Sequence, residues 1–224
     1  MIWGQNIGIL FAKIGLTRWP LLICSAIGLA IIVERVVYYT KLRLDYASFS
    51  RKLFIHLRQN QLTEAVSLCQ KSQNPVAHIA GIYLKNLKNK KRDGLLTREG
   101  SFAIEKVESK LRGLATITHV APLLGLLGTV AGLVLAFHEI ELTVGQVQVK
   151  NLAGGIWEAL LSTVFGLIVA IPCMIAYHTF ESVADRIARR MLTIISELDE
   201  FYGNDSPKDF RVLINESDSE NTVQ

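Results

Sequence analysis

The chain has 224 residues, half of them hydrophobic, with a formal net charge of +4 and a pI near 9.0. Its apolar residues gather into three blocks, which sets it apart from a soluble domain of similar composition. Its basic residues lie between those blocks without any DNA- or RNA-binding motif, which excludes a nucleic-acid partner, and its three cysteines form neither a C-x-x-C pair nor an even framework, which excludes a disulfide scaffold.

Residues 1–16 (MIWGQNIGILFAKIGL) place Trp3, Ile7, Leu10, Phe11 and Ile14 at helical spacing around Lys13, the pattern of a short helix lying on a membrane surface. A first transmembrane helix is expected over 17–39. Trp19 and Pro20 open it, Leu21 to Val33 is uninterrupted apolar sequence, and Tyr38 and Tyr39 follow Glu34 and Arg35 at the interfacial belt. A cleavable signal peptide needs a basic n-region and a small-x-small site, and this stretch has neither, so it reads as an uncleaved anchor.

Residues 40–112 form the one sizeable polar segment. Leu42, Tyr46, Phe49, Leu53 and Leu57 keep a helical spacing, Leu62, Val66 and Leu68 mark a second helix, and Val76, Ile79, Tyr83 and Leu87 mark a third after Asn74-Pro75. The run KNLKNKKRDG (85–94) reads as a solvated turn, and Ile104, Val107, Leu111 and Leu114 lead helically into the second block. No strand alternation appears, and the segment is too small for an enzyme domain of its own. A second transmembrane helix is expected over 113–137, a loop over 138–152, a third transmembrane helix over 153–178 and a helical extension over 179–202. The acidic remainder, 203–224, reads as disordered.

Orientation follows from the basic residues. Residues 41–112 carry fifteen Lys and Arg, whereas 138–152 carries only Lys150. The positive-inside rule then places 41–112 and the C-terminus in the cytoplasm, and the N-terminus and the 138–152 loop outside. The expectation is an all-α integral membrane protein with three spans and long helices reaching into the cytoplasm.

Only one acid, Glu158, is placed well inside the second and third spans. An ionisable group in hydrocarbon costs about 2.5–3.5 kcal/mol on insertion scales, so it marks a functional site. Glu158, Ser162, Gly166 and Ala170 follow one another at i, i+4 steps, and Thr163 falls on a flanking face. In the second span Ala121, Gly125, Gly128, Thr129, Gly132 and Ala136 share a face, and Gly128 to Gly132 is a G-x-x-x-G of the kind that lets helices approach closely in lipid. At a rise of about 1.5 Å per residue, Thr129 lies roughly 12 Å in from Phe137 and Thr163 roughly 15 Å in from Ala153, which sets the two threonines at similar depth in antiparallel spans. Hydroxyls both donate and accept, so Thr129, Ser162 and Thr163 beside an acid suit a proton or cation path. The five histidines show no metal spacing, and there is no H-E-x-x-H, phosphate loop or catalytic Ser/His pair, so neither an enzyme nor a cofactor is expected.

The segments APLLGLLGTVAG, LAGGIWEALLSTVFGLIVAIP and WPLL…VERV resemble the ExbB/TolQ branch of the MotA/TolQ/ExbB proton-channel family, from about residue 16 to residue 195. Two positions depart from the usual pattern: Trp157 stands where a small residue is common, and His178 where Asn is common. The resemblance implies that Glu158 is the third-span acid lining the ion pathway and that Thr129 and Thr163 are the polar residues beside it. It also implies a homopentamer in the bacterial inner membrane around the single spans of an ExbD- or TolR-like partner, each span carrying an Asp. Such an assembly is a motor that uses the proton motive force, through protonation changes at the carboxyls, to drive a TonB- or TolA-like protein across the periplasm. That use is outer-membrane import for an ExbB-like role and envelope maintenance for a TolQ-like one. The alternative is a membrane scaffold without ion conduction, in which Glu158 only pairs with a neighbour. The three-span count separates the chain from four-span flagellar stators.

Overall fold

The computed structural model describes residues 17–42, 45–142 and 149–203. The surface helix expected over 1–16 and all but the first residue of the acidic tail lie outside the described residues, as does the middle of the 138–152 interval. Among the described residues every regular element is a helix: α1 (Arg18–Lys41), α2 (Tyr46–Arg58), α3 (Leu62–Lys71), α4 (Pro75–Lys85), α5 (Arg92–Glu108), α6 (Leu111–Leu142) and α7 (Val149–Tyr202). Three of the helical stretches are long and apolar enough to cross a membrane. Helical backbone continues to Leu142 and resumes at Val149, beyond the 137 and 153 limits read from hydropathy. An apolar count measures the thickness of the hydrocarbon band, whereas a helix ends where its N–H to C=O ladder ends.

The chain divides into two compact units, one formed by residues up to Arg35 with Lys110–Thr179, the other by Val36–Ser109 with the residues from Phe180 on. Along the stretch of α7 in the first unit the usual distribution of side chains is inverted. The buried positions of α7 are Ala159, Leu161, Ser162, Gly166, Ala170 and Cys173, nearly all small and about a turn apart. The large residues Leu160, Val164, Ile168, Ile171 and Ile175 are exposed, as are Leu123, Leu127, Val130 and Val134 on α6. An apolar surface of this extent is stable against lipid or another protein, not against water. Small residues face inward because dispersion, not expulsion of water, brings helices together in a bilayer, and it rewards close approach. Gly28 illustrates this on α1, where an added Cβ would lie 2.8 Å from the Cys173 sulfur.

The second unit is built as a soluble domain is. Phe49, Leu53 and Leu57 of α2, Ala65 and Cys69 of α3, and Val76, Ile79, Ala80 and Tyr83 of α4 are buried. So are Phe180, Ala184, Ile187, Met191, Ile194, Ile195 and Leu198, the stripe that α7 keeps at three- and four-residue steps. Local chemistry sets the ends of the short helices. Asp45 caps α2 by accepting from the Ser48 N–H at 3.5 Å, while its other carboxylate oxygen accepts from the Ser48 hydroxyl at 2.6 Å. Asn60 takes a φ of 57° in the turn before α3, a left-handed conformation Asn adopts at lower cost than most residues. Asn74 caps α4 by accepting from the Val76 N–H at 2.9 Å, with Pro75 at the first helical position, where its missing N–H costs nothing. Burial in this core pushes the Cys69 thiol up to about 12, so it is an inert apolar side chain there.

One residue of the run read as a solvated turn is not solvated. Arg92 is 8 % exposed. Its guanidinium lies 4.5 Å from the centroid of the Tyr83 ring and 3.4 Å from Asp199 Oδ1, which also accepts from the Tyr83 hydroxyl at 2.7 Å. Arg92 opens α5 rather than closing the turn, and the cation is held inside because an acid 107 positions later in the chain meets it there.

Candidate functional site

The site is assembled in the first unit where α6 and α7 cross. At the contact the two backbones nearly touch. A Cβ on Gly166 would lie 2.8 Å from the Ala121 carbonyl oxygen and 3.0 Å from Gly125 Cα, and one on Gly125 would lie 3.0 Å from both the Ser162 oxygen and Thr163 Cα. Real Cβ atoms essentially never come closer than 3.0 Å, so a side chain at Gly166 would move a helix, and one at Gly125 would need the facing backbone to give by a few tenths of an ångström. Two hydroxyls of α7 fasten the crossing to one acceptor on α6. Ser162 Oγ donates to the Gly125 carbonyl at 2.7 Å, and Thr163 Oγ1 donates to the same oxygen at 3.2 Å.

Beside this contact a cavity of about 400 Å³ opens, lined in part by Thr17, Gly128, Gly132, Gly155, Glu158 and Ser162. Glu158 is half-buried there and Ser162 is 2 % exposed. Side chains larger than hydrogen at the three glycines would close the space. A Cβ on Gly132 would meet Ala159 Cβ at 3.0 Å, one on Gly155 would meet Ala136 Cβ at 2.6 Å, and one on Gly128 would stand 2.3 Å from Ser162 Oγ. Gly128 differs from Gly125 in kind. Its open side faces hydroxyl oxygens, whereas Gly125 faces backbone.

The residues singled out from the sequence therefore separate into two groups. Glu158, Ser162, Gly128 and Gly132 meet at the cavity, while Gly125, Gly166 and Thr163 meet at the crossing. Thr129 belongs to neither: its hydroxyl donates to the Leu126 carbonyl of its own helix at 2.6 Å. Equal depth in antiparallel helices fixes height but not azimuth, and the hydroxyl of Thr163 is directed to Gly125, one turn before Thr129. Thr17, from the start of α1, joins the cavity without any hydropathy signal. The only local sign of it is a threonine followed three residues later by Pro20. Among the described residues no group of His, Cys, Asp and Glu is arranged to hold a metal ion.

A cavity with one acid, walled by helices whose outer faces are apolar, suits the passage of small cations or protons. Comparison with known proteins agrees. The model of the MotA/TolQ/ExbB proton channel family matches residues 70–193. The biopolymer transport protein ExbB-like 3 of Synechocystis is 32 % identical over 178 residues, 75 % of this chain and 82 % of its own length. The biopolymer transport protein exbB1 of Vibrio cholerae is 30 % identical over 191 residues, 80 % of this chain and 81 % of its own. The Tol-Pal system protein TolQ of Pseudomonas aeruginosa is 40 % identical over 93 residues, 42 % of this chain and 40 % of its own. With three helices long and apolar enough to cross a membrane and more than half of its length matched, this chain belongs to the MotA/TolQ/ExbB proton channel family, in the ExbB/TolQ branch.

Proposed function

We propose that this chain is the channel-forming subunit of a motor in the bacterial inner membrane, with Glu158 as the group that carries protons. The N-terminus and the 138–152 loop face the periplasm, and the second unit lies in the cytoplasm, as its basic residues require. Copies of the chain, five in the reading implied by the family, cover their exposed apolar faces with one another and with lipid. They enclose the single spans of an ExbD- or TolR-like partner, whose Asp faces Glu158. Protons moving down their gradient reach the carboxyl through the cavity and neutralise the partner Asp, and the work passes to a TonB- or TolA-like protein. Each charge crossing the membrane supplies about 2.3 kcal/mol per 100 mV, enough to bias one step of such a cycle.

The observation that carries this reading is that the sole acid well inside the second and third spans lies on the same cavity as Ser162 and Gly128. Thr163 and Thr129 extend the path inward. Each has spent its hydroxyl proton on a carbonyl, and each keeps lone pairs with which to accept from water. The test is proton uptake by vesicles containing the complete complex, followed with an internal pH-sensitive dye. Glu158→Gln is isosteric and leaves assembly intact, and it reduces uptake by about tenfold or more, as removal of a positioned proton-transfer group does. Full uptake with Gln at 158 overturns the assignment and leaves a scaffold.

A further inference from the structure

Thr17 stands immediately before α1, and its carbonyl accepts the N–H of Leu21 at 3.2 Å, which is the N-cap arrangement. A capping threonine ordinarily turns its hydroxyl onto the N–H of the second or third helical residue. The third here is Pro20, which has none. The second, Trp19, keeps its N–H, but the Thr17 hydroxyl does not bond it. Thr17 is 5 % exposed, its Oγ1 makes no hydrogen bond, and the residue lines the cavity of Glu158 and Ser162.

The glycine opposite locates that oxygen. The point where a Cβ of Gly128 would stand lies 2.3 Å from Ser162 Oγ and 2.5 Å from Thr17 Oγ1. The two oxygens are thus no farther apart than the sum of those distances, about 4.8 Å, and they do not bond each other. Two acceptors spanned by one water, with ordinary arms of about 2.8 Å, stand some 4.5 Å apart. Ser162 has already donated its proton to Gly125 and Ala159 carbonyls, at 2.7 and 3.0 Å, so toward the cavity it offers lone pairs only. Thr17 keeps both its proton and its lone pairs.

We propose that Thr17 and Ser162 hold a water molecule between them that hydrogen-bonds onward to the Glu158 carboxyl, so that the first span contributes a positioning hydroxyl to the proton path. This rests on the reading of Glu158 as the proton carrier. In the transfer, the bound water gives one O–H proton to a carboxylate oxygen of Glu158 and takes one from the water behind it. The hydroxyls hold the water in place and end unchanged. Gly128 is required here for space: a methyl group at that position displaces both oxygens that hold the water.

The test compares Thr17→Val, Thr17→Ser and Glu158→Gln in the complete complex. Two readouts are used: vesicle proton uptake, and the infrared carbonyl band of the protonated Glu158 carboxyl in H2O and D2O. Val has the shape of Thr, and the hydroxyl it removes has no protein partner, so a purely structural Thr17 predicts equal or higher stability and unchanged uptake. The proposal instead predicts uptake reduced about fivefold, what one ordinary hydrogen bond is worth, with Ser restoring it. It also predicts a Glu158 carbonyl band shifted to the position of a less hydrogen-bonded acid. With Gln already at 158, Thr17→Val adds nothing. Unchanged uptake and an unshifted band in Thr17→Val, beside a dead Glu158→Gln, overturn this proposal alone; active Glu158→Gln overturns the reading beneath it. Should Thr17→Val fail to assemble, a map of the wild-type complex decides. Density for water within reach of Thr17 Oγ1 and Ser162 Oγ supports the proposal, and an apolar side chain filling that point overturns it.

Discussion

The two units of this protein are made from the same kind of helix and solve opposite packing problems. In the unit containing α6, the buried positions of its stretch of α7 are mostly small and large apolar residues line the outside of both α6 and α7; in the unit containing α2 to α5, large apolar residues such as Phe49, Leu53, Ile79 and Tyr83 are buried. Water makes the difference. Where water is present, burying a large side chain stabilises by roughly 1.5–3 kcal/mol, so size is rewarded inside. Where lipid surrounds the helix that gain vanishes, and closeness is rewarded instead. One polar feature from each unit shows the same division. The ionic cluster of Arg92, Tyr83 and Asp199 closes on itself, whereas Glu158 and Ser162 open onto a cavity.

The comparison breaks most sharply at the helix crossing. Gly166→Val puts carbon 2.8 Å from the Ala121 oxygen and 3.0 Å from Gly125 Cα. Backbone cannot yield as a flexible side chain does, so the expected outcome is loss of folded subunit, read as disappearance of the monodisperse peak in detergent. A similar enlargement at Gly94, where an added Cβ meets nothing within 4 Å, should leave that peak unchanged. A normal peak for Gly166→Val would mean that closeness is not what holds the spans.

The next effect belongs to the ionic cluster. Arg92→Met leaves the Asp199 carboxylate buried without its cation, a loss of about 3–5 kcal/mol at neutral pH, measured as a lowered unfolding midpoint. The pH dependence has a definite sign. Burial already holds the Asp199 carboxyl above its ordinary range, against the opposing pull of the Tyr83 hydroxyl and Arg92. With the folded value above the unfolded one, the contribution of this group is fully present below the unfolded value and is lost as pH rises through the folded one. Removing Arg92 raises the folded value further. The deficit of Arg92→Met should therefore shrink in mildly acid buffer; a deficit independent of pH would show that ring stacking, not charge, is what Arg92 supplies.

The smallest effect tests local chemistry. Asn74→Ala removes the acceptor for the Val76 N–H, and with it the donor to the Leu42 carbonyl. It should cost about 1 kcal/mol, near the middle of the range for lost N-caps, as a modest fall in the unfolding midpoint with proton uptake unchanged. A change in uptake would mean that this helix start is coupled to the channel.

Much of this was legible in residue order. Hydropathy located the three spans, and the spacing of Phe49, Leu53 and Leu57 and of Val76, Ile79 and Tyr83 located buried helix faces. The isolated acid marked the site, because a charge in an apolar run has few innocent explanations. Three things were not legible. Arg92 looked like the end of a basic loop, since its partner Asp199 lies 107 positions away. Thr129 and Thr163 looked equivalent, yet their hydroxyls go to different carbonyls, Leu126 and Gly125. Thr17 looked like the edge of a span and nothing more.

Composition and periodicity therefore marked the three long apolar helices, the buried faces of the short ones, and the one acid well inside the second and third spans. Those properties depend on each side chain and its near neighbours in the chain, and that is information a sequence holds directly. The tertiary structure alone decided which glycines touch backbone and which leave room, where each hydroxyl spends its proton, and that Thr17, just before the first span, lines the cavity of the acid. Those depend on the rotation of one helix about its axis against another, which contacts distant in sequence settle and no local pattern records.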